Sequence, residues 1–158
     1  MWSQNIEVSW VLVGREGWSG QPELQRQDIL SLIKSLESHP EKGKRLFWMN
    51  ELHDDQLAQL YAHADCLLNA SLGEGLGLPL LEAARHGLPL LLRDLPVFKE
   101  VAGTNATYFN ANSSEALASA IEKWTHSLET QKPDVANIQT ITWNESKSQV
   151  LNALGLCS

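Results

Sequence analysis

The stretch SLGEGLGLPLLEAARHG, residues 71–87, sets glycines at 73, 75 and 77 around one acid, Glu74, and carries a second, Glu82, into the apolar run that follows. A carboxylate only accepts hydrogen bonds, and its two oxygens suit the paired hydroxyls of a sugar. Glycine lets a backbone come close to a ligand that a Cβ would hold off. Pro79 fits the first turn of a helix, whose amides and dipole can hold an anion such as a diphosphate without a basic side chain. The chemistry these residues could do is therefore the binding of a phosphorylated sugar. A plainer reading makes Glu74 a solvated loop acid and Glu82 a helix-dipole partner worth a few tenths to about 1 kcal/mol. The residues alone leave both open.

Spacing excludes two other chemistries. A dinucleotide fingerprint G-x-G-x-x-G needs glycine where Leu80 stands, and this loop follows a late strand instead of opening the fold. A hydrolase nucleophile elbow around Ser71 needs glycine where Asn69 stands. His53, His63 and His86 have no partners at metal-ligand spacing and read as surface or helix-end residues, so no metal is expected.

The elements that must position the glycine stretch follow from periodicity. VSWVLVG (8–14) is short, rich in β-branched residues and closed by glycine, which predicts a strand buried on both faces. QDILSLIKSLESHP places Ile29, Ile33 and Leu36 at helical spacing, and RLFWMN (45–50) reads as a second strand. DDQLAQLYAHAD sets Leu57, Leu60, Tyr61 and Ala64 on one helical face, with acids in the first turn. CLLNAS (66–71) is a third strand, and the helix after the glycine stretch closes at Gly87. LPLLLRD (88–94) and ATYF (106–109) give a fourth and a fifth strand. SSEALASAIEKWTH repeats the helical spacing at Leu117, Ala120, Ile121 and Trp124. After the looser SLETQKPDVANIQT, a last amphipathic piece from Asn144 sets Val150, Leu151 and Leu154 on one side. Strands alternating with helices predict an α/β fold, a Rossmann-like parallel sheet covered by helices on both faces, in a single domain. The glycine stretch then lies at the carboxyl end of a strand, where open sheets bind their ligands.

Bulk properties narrow the partners. The 158 residues carry a net charge of -7 and no run of Lys or Arg, which argues against a nucleic acid. Two distant cysteines, Cys66 and Cys157, suggest idle thiols in a reducing cytoplasm. No apolar run reaches the roughly 20 residues that span a bilayer, and MWSQNIEVSW has no signal-peptide pattern, so a cytoplasmic location is expected.

At this point SLGEGLGLPLLEAARHGLPLLLRDLPVFKEVAG closely resembles the C-terminal, donor-binding half of retaining GT-B glycosyltransferases of family 4, especially bacterial mannosyltransferase-like enzymes of surface polysaccharide assembly. VLVGREGW, HPEKGKRLFW, DDQLAQLYAHADCLL and AIEKW extend the likeness from about residue 8 to 125. The resemblance implies that Glu74 contacts and positions the transferred sugar, the catalytic role here, and that Glu82 takes the ribose 2′ and 3′ hydroxyls. The amides of Leu76, Gly77 and Leu78, with Gly75 in the same cradle, would meet the diphosphate. Met49 and Asn50 would lie near the base. Gly14 to Trp18 would form the turn after the first strand, its tight backbone structural, with Gly14 and Arg15 bordering the ligand. No cofactor or metal is implied; the donor would be a GDP- or UDP-sugar carrying mannose or another hexose.

Two departures stand out: Leu76 replaces an aromatic residue usual in the family, and His53 replaces a serine helix cap, so that the helix would start less firmly or be capped instead by Asp54. The resemblance also implies what is not here. An N-terminal acceptor-binding domain and the first βα unit of the donor domain, with its Arg and Lys for the leaving diphosphate, would be missing. The chain alone is then expected to bind a nucleotide weakly and to transfer no sugar. Its strand at 8–14, without a neighbour, would expose an edge covered by a second copy or by the chain's own tail. In the full-length enzyme the site would face the cytoplasm, next to the inner membrane. The alternative is a non-catalytic module, a stand-alone remnant that binds a nucleotide or a partner chain.

Overall fold

The computed structural model describes residues 2, 6–15, 23–127, 133–140 and 142–156. Along them run β1 (Trp10–Val13), α1 (Glu23–Glu37), β2 (Leu46–Met49), α2 (Asp54–His63), β3 (Leu67–Asn69) and α3 (Leu78–Arg85). β4 (Leu90–Arg93), α4 (Pro96–Ala102), β5 (Thr107–Phe109), α5 (Ser114–Ser127), a 3-10 turn (Val135–Asn137) and α6 (Trp143–Ala153) complete the order. Every strand pairing is parallel: β1 with β2, and β3 with β4 with β5. The α/β class is therefore as the alternation of apolar runs predicts.

The strands do not form the one continuous sheet expected. They make a two-stranded sheet, β1-β2, and a three-stranded sheet, β3-β4-β5. The chain correspondingly falls into two compact units, Met1–Leu57 and Ala58–Ser158. The connections through α1, α3 and α4 each join strands that pair, whereas the strands on either side of α2 do not pair with each other.

In the second unit β4 is the middle strand, and Leu90, Leu91 and Leu92 are all buried. A short continuous apolar run is what a strand covered on both faces requires. On the face of Leu90 and Leu92, Leu80, Ala83 and Ala84 of α3 join them in one cluster with Phe98 and Ala102 of α4. Val135 and Ile138 of the looser C-terminal segment join the same cluster, held in place by Asp134, whose side chain accepts from the Ala136 amide at 2.9 Å. Full burial of an aromatic ring such as Phe98 contributes about 1.5–3 kcal/mol. Helix α4 was not among the expected elements. Seven residues are too few for a periodic signal, although Pro96 at its start and Gly103 at its end, φ +53°, punctuate it in the usual way.

The first unit departs from expectation at β1, where burial alternates instead of covering both faces. Val11 and Val13 remain 37% and 47% exposed, because β2 is the only strand beside β1 among the described residues and its unit contains one complete helix. That helix, α1, turns Ile29, Ile33 and Leu36 inward, with the side chains around them exposed. Trp2 folds back on the unit: its indole N–H donates to the Val8 carbonyl at 2.8 Å, His39 meets its ring edge-on, and the Arg45 guanidinium lies over it.

Two helix starts also differ. Asp54 is the first residue of α2 and so does not cap it; Gln56 instead accepts from the His53 amide at 3.0 Å, one half of a capping box. Helix α6 has a complete capping box of Thr142 and Glu145, and the Thr142 amide and hydroxyl hold the Glu145 carboxyl below its ordinary range. Its expected inward side is not buried, since only Leu151 of Val150, Leu151 and Leu154 is sheltered.

Candidate functional site

The glycine stretch leaves the carboxyl end of β3. There the Asn69 side chain accepts from the Ser71 amide at 3.0 Å, and the Ser71 hydroxyl donates to Glu74 Oε1 at 2.8 Å. Glu74 is thus tied to the strand end through Ser71 while remaining exposed. The three glycines divide by cause. Gly77 is buried with φ +80°, and a Cβ on it would sit 2.9 Å from Phe98 Cε1, so the fold itself requires glycine there. Gly73 and Gly75 have ordinary backbone angles and nothing within 4 Å of an added Cβ. No neighbour among the described residues requires glycine at either position, and both leave room for a close approach to the backbone.

Gly77 is also the N-cap of α3, and no side chain caps that terminus. The amides at a helix start have no intrahelical acceptor, so those of Gly77 and Leu78 are suited to an anion. Leu76 and Leu78, at 49% and 62% exposure, flank the cap as apolar surface. Leu76, standing for the family's aromatic residue, therefore does little packing.

Glu82 lies in the second turn of α3, since the helix begins at Leu78, not in the first turn where its interaction with the dipole would be strongest. This weakens the plain explanation for an acid at 82. Its carboxylate has a specific partner: Tyr61 of α2 donates its hydroxyl to Glu82 Oε2 at 3.1 Å. The Tyr61 ring stacks on His86, the C-cap of α3 one turn after Glu82, at 5.7 Å and 26°. Burial first, then the Glu82 charge and the hydrogen bond, push the Tyr61 phenol well above its usual range, so it remains a donor at any physiological pH.

Beneath the loop, Arg93 at the end of β4 donates through Nε to the Ala70 carbonyl at 3.1 Å and through Nη1 to the Ala111 carbonyl at 2.6 Å. Its guanidinium also lies over the Phe109 ring. One side chain thus ties together the carboxyl ends of all three strands of this sheet. Periodicity finds neither Tyr61 nor Arg93 as a polar group, because their partners are 21 and 23 residues away. Ser71 was likewise missed as the partner of Glu74, although its place three residues earlier is a local signal that could have found it.

The remaining expected residues belong to the first unit. The Gly14 amide donates to the Met49 carbonyl at 3.1 Å, and the Trp48 indole donates to the Gly14 carbonyl at 2.9 Å, joining the ends of β1 and β2. Gly14, at φ +137°, has a backbone that favours glycine. Arg15 pairs with Glu51 at 3.6 Å, both side chains about three-quarters exposed, and Asn50 is exposed beside them. Residues 16–18 of the expected turn, and Cys157, lie outside the described residues. So Gly14, Arg15, Met49 and Asn50 form one group, and Glu74 to Glu82 another, in different units. Among the described residues no cluster of His, Cys, Asp and Glu could hold a metal, and no helix is long and apolar enough to cross a membrane.

The parallel strands and helices are similar in fold to solved GT-B glycosyltransferases. Sucrose-phosphate synthase from Thermosynechococcus elongatus superposes with a TM-score of 0.66 at 19% identity, over 94% of this chain and 39% of that one. Anabaena Alr3699/HepE, solved in complex with UDP and glucose, gives 0.62 at 20% identity over 92% and 41%. In sequence, residues 2–127 match the family model for glycosyl transferases group 1, and the chain belongs to that family. It is 38% identical over 155 residues to the serotype-specific mannosyltransferase WbdA of Escherichia coli, and 30% identical over 97 residues to the O-antigen chain mannosyltransferase RfbU of Salmonella typhimurium. These matches cover 98% and 61% of this chain but only 18% and 28% of the relatives.

Proposed function

We propose that the chain is the nucleotide-sugar donor-binding domain of a longer, retaining glycosyltransferase that transfers mannose or another hexose during assembly of a surface polysaccharide. The observation that carries this reading is the glycine loop at the end of β3: two glycines that the fold does not require, an uncapped helix start and a carboxylate on each side. In it, Glu74 holds hydroxyls of the transferred sugar and Glu82 those of the ribose, while the amides of Leu76, Gly77 and Leu78 meet the diphosphate. Met49 and Asn50 border the base, with Gly14 and Arg15 beside them. The bond from anomeric carbon to phosphate oxygen breaks, its electron pair leaving with the diphosphate. The acceptor oxygen bonds to the same face, and its proton passes to the departing phosphate. The acceptor domain and the basic side chains for the leaving group belong to the rest of the protein, at the cytoplasmic face of the inner membrane.

The test is calorimetry with GDP, UDP and ADP on the wild-type chain and on Glu82→Ala. One nucleotide is expected to bind, weakly, and Glu82→Ala to lower its affinity about tenfold or more, the loss of a hydrogen-bonded charged group. Equal, negligible binding by both proteins would sink the assignment.

The outer edge of β1 is covered, in the same proposal, by a second copy of the chain or by its own tail, because a long-lived open edge invites aggregation. Light scattering that finds a monomer at high concentration, together with rapid amide exchange along β1, would argue against it.

A further inference from the structure

We propose that Tyr61 is the positioning residue for Glu82, presenting that carboxylate to a vicinal diol and so making the site select ribonucleotides over nucleotides lacking those hydroxyls. The inference rests on the reading of Glu82 as the ribose acceptor, and it goes further by naming what fixes that acceptor and what it discriminates.

Glu82 is an exposed side chain with three rotatable bonds, and left to itself it would sample many rotamers. Tyr61 removes that freedom. Its ring is held twice: one part packs against the hydrophobic cluster of the second unit, and one face stacks on His86. Glu82 lies on α3 and His86, four residues later, is its C-cap, one helical turn further on. The tyrosine ring therefore spans a single turn of α3, anchored on His86 and donating to Oε2 of Glu82. A carboxylate has about four acceptor positions on its two oxygens, and one phenol uses one of them. Oε1 remains, on a side chain already oriented, to accept from ligand hydroxyls. A tyrosine needs only two torsions to reach this arrangement, and both are set by packing. Preorganisation of this kind improves affinity by removing an ordering cost from the binding step.

A purely structural tyrosine would also pack against the cluster and stack on His86. It would not, however, alter the preference between two ligands differing only in the ribose hydroxyls. The experiment is calorimetry of the 158-residue chain with GDP and UDP and with their 2′,3′-dideoxy forms, on wild type, Tyr61→Phe, Glu82→Ala and the double variant. Tyr61→Phe keeps the ring and removes one hydroxyl. It is expected to weaken ribonucleotide binding about three- to tenfold, the range of one hydrogen bond to a charged group. Dideoxynucleotide binding should stay unchanged, and Tyr61→Phe should have no further effect in the Glu82→Ala background. Partial unfolding would weaken both ligand types alike and so cannot imitate this pattern.

Equal weakening of both ligand types by Tyr61→Phe would overturn the proposal, as would unchanged ribonucleotide binding. If Glu82→Ala weakens binding and Tyr61→Phe does not, only the positioning role fails. If the wild type binds none of the four ligands, the donor-site reading fails with it.

Discussion

Gly77→Ala is expected to destabilise the second unit by about 2–4 kcal/mol, a fall in Tm on the order of 10 °C in a circular-dichroism melt. Two costs add. At φ +80° an alanine sits in the left-handed region, at roughly 1 kcal/mol or more for any residue with a Cβ. That Cβ would also lie 2.9 Å from Cε1 of Phe98, a fully buried ring that cannot swing aside. Overpacking of this kind costs a further 1–3 kcal/mol or so. A melt within 2 °C or so of wild type would mean that Phe98 yields easily and that Gly77 is not fixed by the fold. Gly73→Ala and Gly75→Ala are the controls. Both have ordinary angles and open space, and should fold within about 0.5 kcal/mol of wild type. Any loss of nucleotide affinity they cause therefore reports contact with the ligand and not damage to the loop.

How far the sequence revealed this site depends on the distance over which each cause acts. The glycine loop, Pro79 and the two acids lie within twelve residues, from 71 to 82, and their local chemistry was legible in order. The half-buried face of α1 at Ile29, Ile33 and Leu36, and that of α5 ending in Ile121 and Trp124, follow from period alone. The failures come from what a run of residues does not encode. β1 has the apolar content of a strand with two covered faces, but coverage depends on neighbours, and Val11 and Val13 remain partly exposed. α6 has apolar residues at helical spacing and a complete capping box, yet local signals fix only that it is a helix, not that anything packs on it. Glu82 was located correctly on the helix after the loop, whereas its partner Tyr61 reads in sequence as one more apolar position of α2.

Arg93→Met should have the other large effect, because Arg93 joins the exits of β3 and β5 through one side chain, whereas the Asp94 amide, donating to the Phe109 carbonyl at 2.8 Å, joins only β4 and β5. Register sets Arg93 opposite Phe109, and Leu92 opposite Asn69, so the side chain at the end of β4 has the exits of β3 and β5 on its two sides. Its guanidinium uses two donors in a fixed plane, one for each carbonyl, at Ala70 and Ala111. Methionine has a chain of similar reach but removes both donors and the guanidinium over Phe109, and it takes these donors from the carbonyls of Ala70 and buried Ala111. The expected loss is about 2–3 kcal/mol in urea unfolding. Arg93→Lys keeps the charge yet should recover less than half of it, since an ammonium on a flexible stem cannot reach two divergent acceptors in one geometry. Ala70 immediately precedes Ser71, which holds Glu74. Slack at Ala70 therefore moves the carboxylate assigned to the sugar. If the proposed function holds for the longer protein, Arg93→Met at a temperature where it is fully folded should lower turnover more than nucleotide affinity, because the ribose contact proposed for Glu82 rests on α2 and α3 and not on this arginine. Equal losses in both would mean that Arg93 supports the whole unit and not the loop in particular.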